Sequence, residues 1–173
     1  DLEGAALKIA VGKLLNSGQT CIAPDYLLLP RGREAAFADA YQKAVARLFP
    51  RLVGNADYAA IINARQHQRL QALVDEARAL GARVDDVGPP ALDTPGSEAE
   101  ARQMRPLLVF DLPPQARLLQ EEIFGPVLPV LPYDELQTVI AHINARPRPL
   151  ALYWFGNDEA ARDRVLQGTV SGG

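Results

Sequence analysis

The sequence holds a single cysteine, so no disulfide can close within the chain and a bridged framework is excluded. A lone thiol fits a reducing compartment, and a cytoplasmic location is the expectation. There are two histidines, His67 and His142, and both fall in stretches of helical periodicity. Each is expected to be a solvated helix residue, which leaves a cysteine–histidine hydrolase little support. A basic excess is missing: the net charge of -3 gives no footprint for nucleic acid. No apolar run is long enough to span a bilayer. No Lys/Arg-rich amphipathic face predicts a helix lying on a membrane surface. Neither a G-x-G-x-x-G after a strand nor a P-loop occurs, which argues against a self-contained nucleotide site of those kinds.

The 173 residues suit one compact domain with a substantial core. Helical spacing covers residues 2–15, 33–48 and a stretch beginning at Asn63, where Gln66 completes a capping-box pattern. Asp134 with Gln137, and Asn157 or Asp158, predict two later helix starts. Short apolar runs predict strands at Tyr26–Leu29, buried on both faces, at Ala82–Val87 and at Leu107–Phe110. Further strands are expected at Val127–Leu131, where Pro129 argues for an edge or irregular position, at Leu150–Phe155, and at Thr169-Val170. Residues 88–105, punctuated by Gly88, Pro89, Pro90, Pro95 and Gly96, read as a surface excursion. Strands alternating with helices define an α/β fold, a three-layer αβα sandwich around a largely parallel, possibly mixed, sheet. The start at Asp1 and the stop at Ser171-Gly172-Gly173 both read as cuts through a longer polypeptide.

Two stretches carry chemistry. In Asn16-Ser17-Gly18-Gln19-Thr20-Cys21 the cysteine sits at a helix–turn–strand joint, rigid yet reachable. A thiolate is a strong nucleophile near neutral pH. Added to an aldehyde it gives a thiohemiacetal, and loss of hydride leaves a thioester that water can open. The Cys21 backbone N–H is placed to help hold the oxyanion if the turn points inward. Residue chemistry alone equally allows a small buried hydrophobe. In Gln120-Glu121-Glu122-Ile123-Phe124-Gly125-Pro126-Val127 a carboxylate can accept from two ribose hydroxyls, and the ring can pack on a planar ligand face. The bland alternative is a solvated helix end, with Phe124 in the core.

Gly18-Gln19-Thr20-Cys21 and Glu121-Glu122-Ile123-Phe124-Gly125-Pro126-Val127, about a hundred residues apart, resemble the two signature stretches of the aldehyde dehydrogenase superfamily. Cys21-Ile22-Ala23-Pro24-Asp25-Tyr26, Arg148-Pro149-Leu150-Ala151-Leu152-Tyr153 and the final Ser171-Gly172-Gly173 are similar to the branch that holds class 3, fatty aldehyde and bacterial coniferyl aldehyde dehydrogenases. The resemblance covers essentially the whole chain. It implies that Cys21 is the nucleophile, that Glu122 binds the nicotinamide-ribose hydroxyls of NAD or NADP, and that Phe124 packs beside that ribose and the nicotinamide. It also implies aliphatic or aromatic aldehyde substrates and a homodimer in the full enzyme. No metal is implied.

The departures bear on activity. The family's general-base glutamate, in a Glu-Leu-Gly-Gly stretch, and its oxyanion-hole asparagine precede the cysteine by more than the twenty residues present here. Glu3-Gly4 is not that motif. The expectation is a catalytic domain bounded by residues 1–173, inactive alone, whose cofactor is bound mainly by an upstream domain. Two alternatives remain. One is an acylating or reductive member of the superfamily. The other is a non-catalytic oligomerisation module pairing through an edge strand near Val127–Leu131 or through the C-terminus.

Overall fold

The structure, a computed structural model, describes residues 1–90 and 95–172. Helix α1 (Leu2–Leu14) buries Ala6, Ile9, Ala10 and Leu14 on one stripe. It packs on α2 (Glu34–Leu48), which turns Phe37, Ala40, Tyr41, Ala44 and Val45 to the same core. Helix α3 (Ala64–Ala79) opens as its sequence predicts: the Asn63 side chain accepts from the Gln66 N–H at 2.9 Å. Gln66 does not reach back, however; its Oε1 accepts from Arg69 Nε at 2.8 Å. Gly81, at φ +90, supplies the left-handed stop.

Four strands form one sheet in the order β1-β4-β3-β2, from β1 (Leu27–Pro30), β2 (Arg83–Asp86), β3 (Leu107–Phe110) and β4 (Val127–Tyr133). β1, β4 and β3 run parallel, and β2 joins β3 antiparallel. Alternation along the inner strands buries both faces. Leu108, Phe110, Leu128 and Val130 meet α1 and α2, whereas Leu107, Val109 and Val127 meet Leu70, Leu73, Val74 and Ala77 of α3. These are the three layers expected. The short α4 (Glu98–Ala101), capped by Ser97, lies between β2 and β3. Helices α5 (Leu136–Asn144) and α6 (Glu159–Gly168) follow β4, and the Asp158 side chain caps α6 through the Ala161 N–H.

Several expectations give way. β4 is an inner strand, not an edge, so the stretch Val127–Leu131 offers no free ladder for pairing. Its prolines are tolerated because its neighbours divide it: β3 runs beside residues 127–129 and β1 beside 130–133. At Pro129, as at Pro132, only one flank therefore asks for a ladder bond. β1 starts at Leu27 and is itself the edge, with Leu27 and Leu28 half-buried and only Leu29 fully so. Leu150–Phe155 and Thr169-Val170 form no strand among the described residues; the Gly172 N–H donates to the Pro149 carbonyl at 2.9 Å, but no ladder follows. The first runs extended across the molecule instead, tied by Tyr153 Oη donating to the Ile22 carbonyl at 2.9 Å. Asp134 is not a cap; it pairs with Arg31 at 2.7 Å, and Glu135 precedes α5 without a side-chain bond. Within 88–105, residues 91–94 lie outside the described residues; Arg105 binds the Asp86 carboxylate and the Pro89 carbonyl, and Met104 is buried.

Candidate active site

The cysteine loop is made by an abrupt reversal at the end of α1. Asn16, Ser17 and Gly18 all take left-handed backbone angles, with φ of +49, +53 and +76. Such angles cost a serine on the order of 1 kcal/mol, so the surroundings must hold it. They do. The buried Ser17 hydroxyl donates to the Ala59 carbonyl at 2.5 Å. Gln19 acts as a clamp on the same segment, with Nε2 donating to the Ala60 carbonyl at 3.1 Å and Oε1 accepting from the Ile62 N–H at 2.9 Å. Cys21 emerges beyond this clamp and is exposed. No hydrogen bond among the described residues uses its backbone N–H.

The Glu121–Pro126 stretch lies directly against this loop. A Cβ added at Gly18 would stand 2.6 Å from the Gly125 carbonyl carbon and closer still to its oxygen. The two backbones touch because Gly18 carries no side chain, while the bare Cα of Gly125 lets Leu70 pack against its other side. Asp25, four residues after the cysteine, accepts from the Ile123 N–H at 3.1 Å. From the other side, Arg69 of α3 donates to the Ile123 carbonyl at 2.5 Å and, more weakly, to the Glu122 carbonyl at 3.4 Å. Held at both ends, the loop puts Phe124 at φ +51 with its ring 41% exposed. The core reading of Phe124 is thereby excluded. Ile123 takes the buried place instead, fully enclosed beneath α3.

Cys21, Glu122 and Phe124 thus come from two distant stretches to one open cleft of about 1550 Å³, whose lining also includes Tyr153. Neither histidine joins them. His142 is half-buried: it stands edge-on to Tyr26 at 5.3 Å, its Nε2 is buried without a hydrogen-bond partner among the described residues, and burial and Arg146 lower its pKa. His67 is half-buried on α3, with its pKa lowered by burial and by Arg102. Among the described residues no cluster of side chains could hold a metal ion.

Sequence reasoning missed Lys13, Asp25 and Arg69. Lys13 is fully buried and its Nζ has no hydrogen-bond partner among the described residues. Burial pulls its pKa down to about 8, against the opposing pull of Asp25 and Glu122. Burial also raises Asp25, with Lys13, the Ile123 N–H and Arg69 acting the other way. The signal for Lys13 was present. Positions 6, 9, 10, 13 and 14 form one helical stripe, and a lysine stands in an otherwise apolar row.

An αβα sandwich that seats an exposed cysteine against a Glu-Glu-x-Phe-Gly-Pro loop defines a class, and comparison with known proteins identifies it. The Aldehyde dehydrogenase family model matches residues 1–173, and the chain belongs to that family. It is 47% identical, over all of its length, to a Caulobacter vibrioides protein named "Probable coniferyl aldehyde dehydrogenase", of which it covers 35%. It is 36% identical, again over its whole length, to the rat "Aldehyde dehydrogenase, dimeric NADP-preferring", of which it covers 36%. Among solved structures it resembles the substrate-bound state of Staphylococcus aureus AldH, with a TM-score of 0.84 and 32% identity over 99% of this chain and 36% of that one. The chain therefore spans about a third of the length of the curated relatives it matches. No helix among the described residues is long and apolar enough to cross a membrane.

Proposed function

We propose that this chain carries the nucleophile of an NAD(P)-dependent aldehyde dehydrogenase, which oxidises an aldehyde to a carboxylic acid through a thioester on Cys21. The observation that carries the reading is the joining of the two stretches. The Gly18–Gly125 contact and the Asp25–Ile123 bond bring the exposed Cys21 and the exposed Glu122 and Phe124 to one cleft.

In this reading the Cys21 thiolate attacks the carbonyl carbon and the carbonyl oxygen becomes an oxyanion. The unused Cys21 N–H is one donor for that charge. Water then opens the thioester, releasing the acid and returning the thiolate. Glu122 and Phe124 fit a nicotinamide nucleotide. Glu122 presents a solvent-facing carboxylate, an acceptor suited to vicinal ribose hydroxyls. Phe124 presents an apolar ring that the rest of the protein has not claimed. When bound, that cofactor accepts the hydride leaving the thiohemiacetal carbon. The protein's share is to hold Cys21 and Glu122 in fixed register, which the Ser17, Gln19, Asp25 and Arg69 bonds accomplish.

The coniferyl aldehyde dehydrogenase name of the Caulobacter relative points to an aromatic aldehyde, and the dimeric name of the rat relative to a homodimer. The test is formation of reduced nicotinamide by the full-length protein, with NAD or NADP and a panel of aliphatic and aromatic aldehydes. Wild type and Cys21→Ala are run side by side. Turnover that disappears in Cys21→Ala is expected; turnover that survives would overturn the assignment.

A further inference from the structure

Cys21 sits at the centre of a tight turn. The Ala23 N–H donates to the Thr20 carbonyl at 3.1 Å, which closes a β-turn with Cys21 and Ile22 as its two central residues. Gln19 fixes the entry to this turn through its bonds to Ala60 and Ile62. The exit is fixed from elsewhere in the chain. Tyr153, 131 residues beyond Ile22, donates its hydroxyl to the Ile22 carbonyl at 2.9 Å. The Ile22–Ala23 peptide is thus gripped at both ends: its N–H closes the turn, and its C=O accepts from the tyrosine. Tyr153 can hold that position because its own stretch is anchored. The Gly172 N–H donates to the Pro149 carbonyl at 2.9 Å, and Arg148 Nε donates to the Ser171 carbonyl at 3.0 Å. The ring is no core residue: it is half exposed and lines the cleft together with Cys21 and Phe124. A ring left half in water gains little from burial, so packing alone gives no reason for a tyrosine at this place.

We propose that Tyr153 is a positioning residue for Cys21: its hydroxyl fixes the turn from which the thiolate attacks. This rests on the reading of Cys21 as the nucleophile. Attack on a carbonyl needs the sulfur aligned with the carbon and within about 3–3.5 Å of it. Two things set the sulfur's place, its own χ1 and the backbone of the turn. Gln19 holds that backbone before the cysteine, and Tyr153 holds it after. Beyond Tyr153 the next side-chain bond on the exit side is that of Asp25 to the Ile123 N–H. Loss of the hydroxyl would leave the Ile22 carbonyl to water and let the Ile22–Ala23 peptide swing about its remaining bond. The phenol and the ring then have separable effects. The hydroxyl acts through the turn, so removing it slows the chemical step and leaves the proton inventory of the reaction unchanged. The ring is a wall that an aldehyde meets, so removing it weakens aldehyde binding.

The experiment is rapid mixing of the full-length protein, loaded with NAD or NADP, with an aldehyde that the wild type turns over. It reads the first-turnover rate of reduced-nicotinamide formation and the aldehyde concentration that gives half of it. Wild type, Tyr153→Phe, Tyr153→Leu, Tyr58→Phe and Cys21→Ala are compared. Tyr153→Phe keeps the ring. Its first turnover at saturating aldehyde should be about fivefold slower, the worth of one net hydrogen bond, with the half-saturating concentration within about twofold of wild type. The pH dependence of its rate should keep the wild-type shape. Tyr153→Leu should show the same slowing together with severalfold weaker aldehyde binding. Tyr58→Phe loses a buried tyrosine hydrogen bond, to the Met104 carbonyl, outside the cleft lining. It should lower the melting temperature more than Tyr153→Phe does and leave the rate within about twofold, which separates positioning from stability. If Cys21→Ala still forms reduced nicotinamide, the nucleophile reading itself fails. If Cys21→Ala is silent while Tyr153→Phe matches wild type, slows no more than Tyr58→Phe or changes the pH profile, Tyr153 does not position Cys21 and this inference is overturned.

Discussion

Replacing Gly18 with alanine tests the joint on which the site depends. Two terms add. The first is conformational: at φ +76 a Cβ costs about 1 kcal/mol. The second is steric. The new methyl would lie 2.6 Å from the Gly125 carbonyl carbon, whereas carbon atoms rest at about 3.5 Å, so the two backbones must part by about 1 Å. Gly125 cannot yield freely, since a Cβ built on it already meets Leu70 at 2.6 Å. Overpacking of this kind costs about 1–3 kcal/mol, for a total of about 2–4 kcal/mol. In a domain of this size that lowers the melting temperature by about 10 °C. Gly32→Ala is the control: its φ is +83, but nothing stands within 4 Å of the added methyl. It should lose only the conformational part, about 3 °C. Thermal unfolding of both variants in the full-length protein separates the terms. Turnover should fall by about a hundredfold in Gly18→Ala, the effect of a 1 Å misplacement, and stay near wild type in Gly32→Ala. Equal melting temperatures for the two variants would refute the contact argument.

Arg69→Met removes the bonds to the Ile123 and Glu122 carbonyls, and should destabilise by about 2 kcal/mol in denaturant titration while weakening cofactor binding severalfold. Tyr58→Phe strips the Met104 carbonyl of a buried donor at 2.6 Å, with an expected loss of about 1–2 kcal/mol and little change in turnover. Lys13 predicts a pH dependence of stability. Its pKa is about 8 when folded against an ordinary 10.5, so between those values the unfolded chain holds the extra proton. Stability from this group is therefore greatest above 10.5 and declines as pH falls toward 8, by up to about 1.4 kcal/mol per pH unit. Urea titrations across that window should show the slope in wild type and not in Lys13→Met; identical slopes would refute the assignment. Asp25→Ala removes the acceptor of the Ile123 N–H and should lower both stability and cofactor affinity, read by the same two measurements.

Local signals were legible where they were sufficient in themselves. The Asn63 cap, the Gly81 stop and the four-residue run Leu107–Phe110 all lie where the sequence puts them. Pairing was less legible. Leu150–Phe155 has strand composition but joins no ladder among the described residues, and Pro129 has edge chemistry yet sits in an inner strand whose neighbours stop short of each other. Asp134 looked like a cap because its distant partner, Arg31, is invisible along the chain. At the site, Cys21, Glu122 and Phe124 were found through their motifs, and the structure brings them to one cleft. The other charged groups were harder. Asp25 and Arg69 act through backbone groups far away in sequence, and Lys13 was passed over because a lysine is read as solvated before its stripe is counted.

The Gly18–Gly125 contact couples the turn that bears Cys21 to the Phe124 loop. Any shift of the Phe124 loop, whether from a bound nucleotide or from a substitution in α3, is passed backbone to backbone into the turn that bears Cys21. On the proposed function, reshaping this cleft for a new aldehyde by moving the cysteine would disturb the nucleotide side in the same stroke. The tolerant places to alter are walls bonded to neither loop's backbone; the exposed side chain of Leu150 is one, whereas Tyr153 is not, because its hydroxyl holds the Ile22 carbonyl.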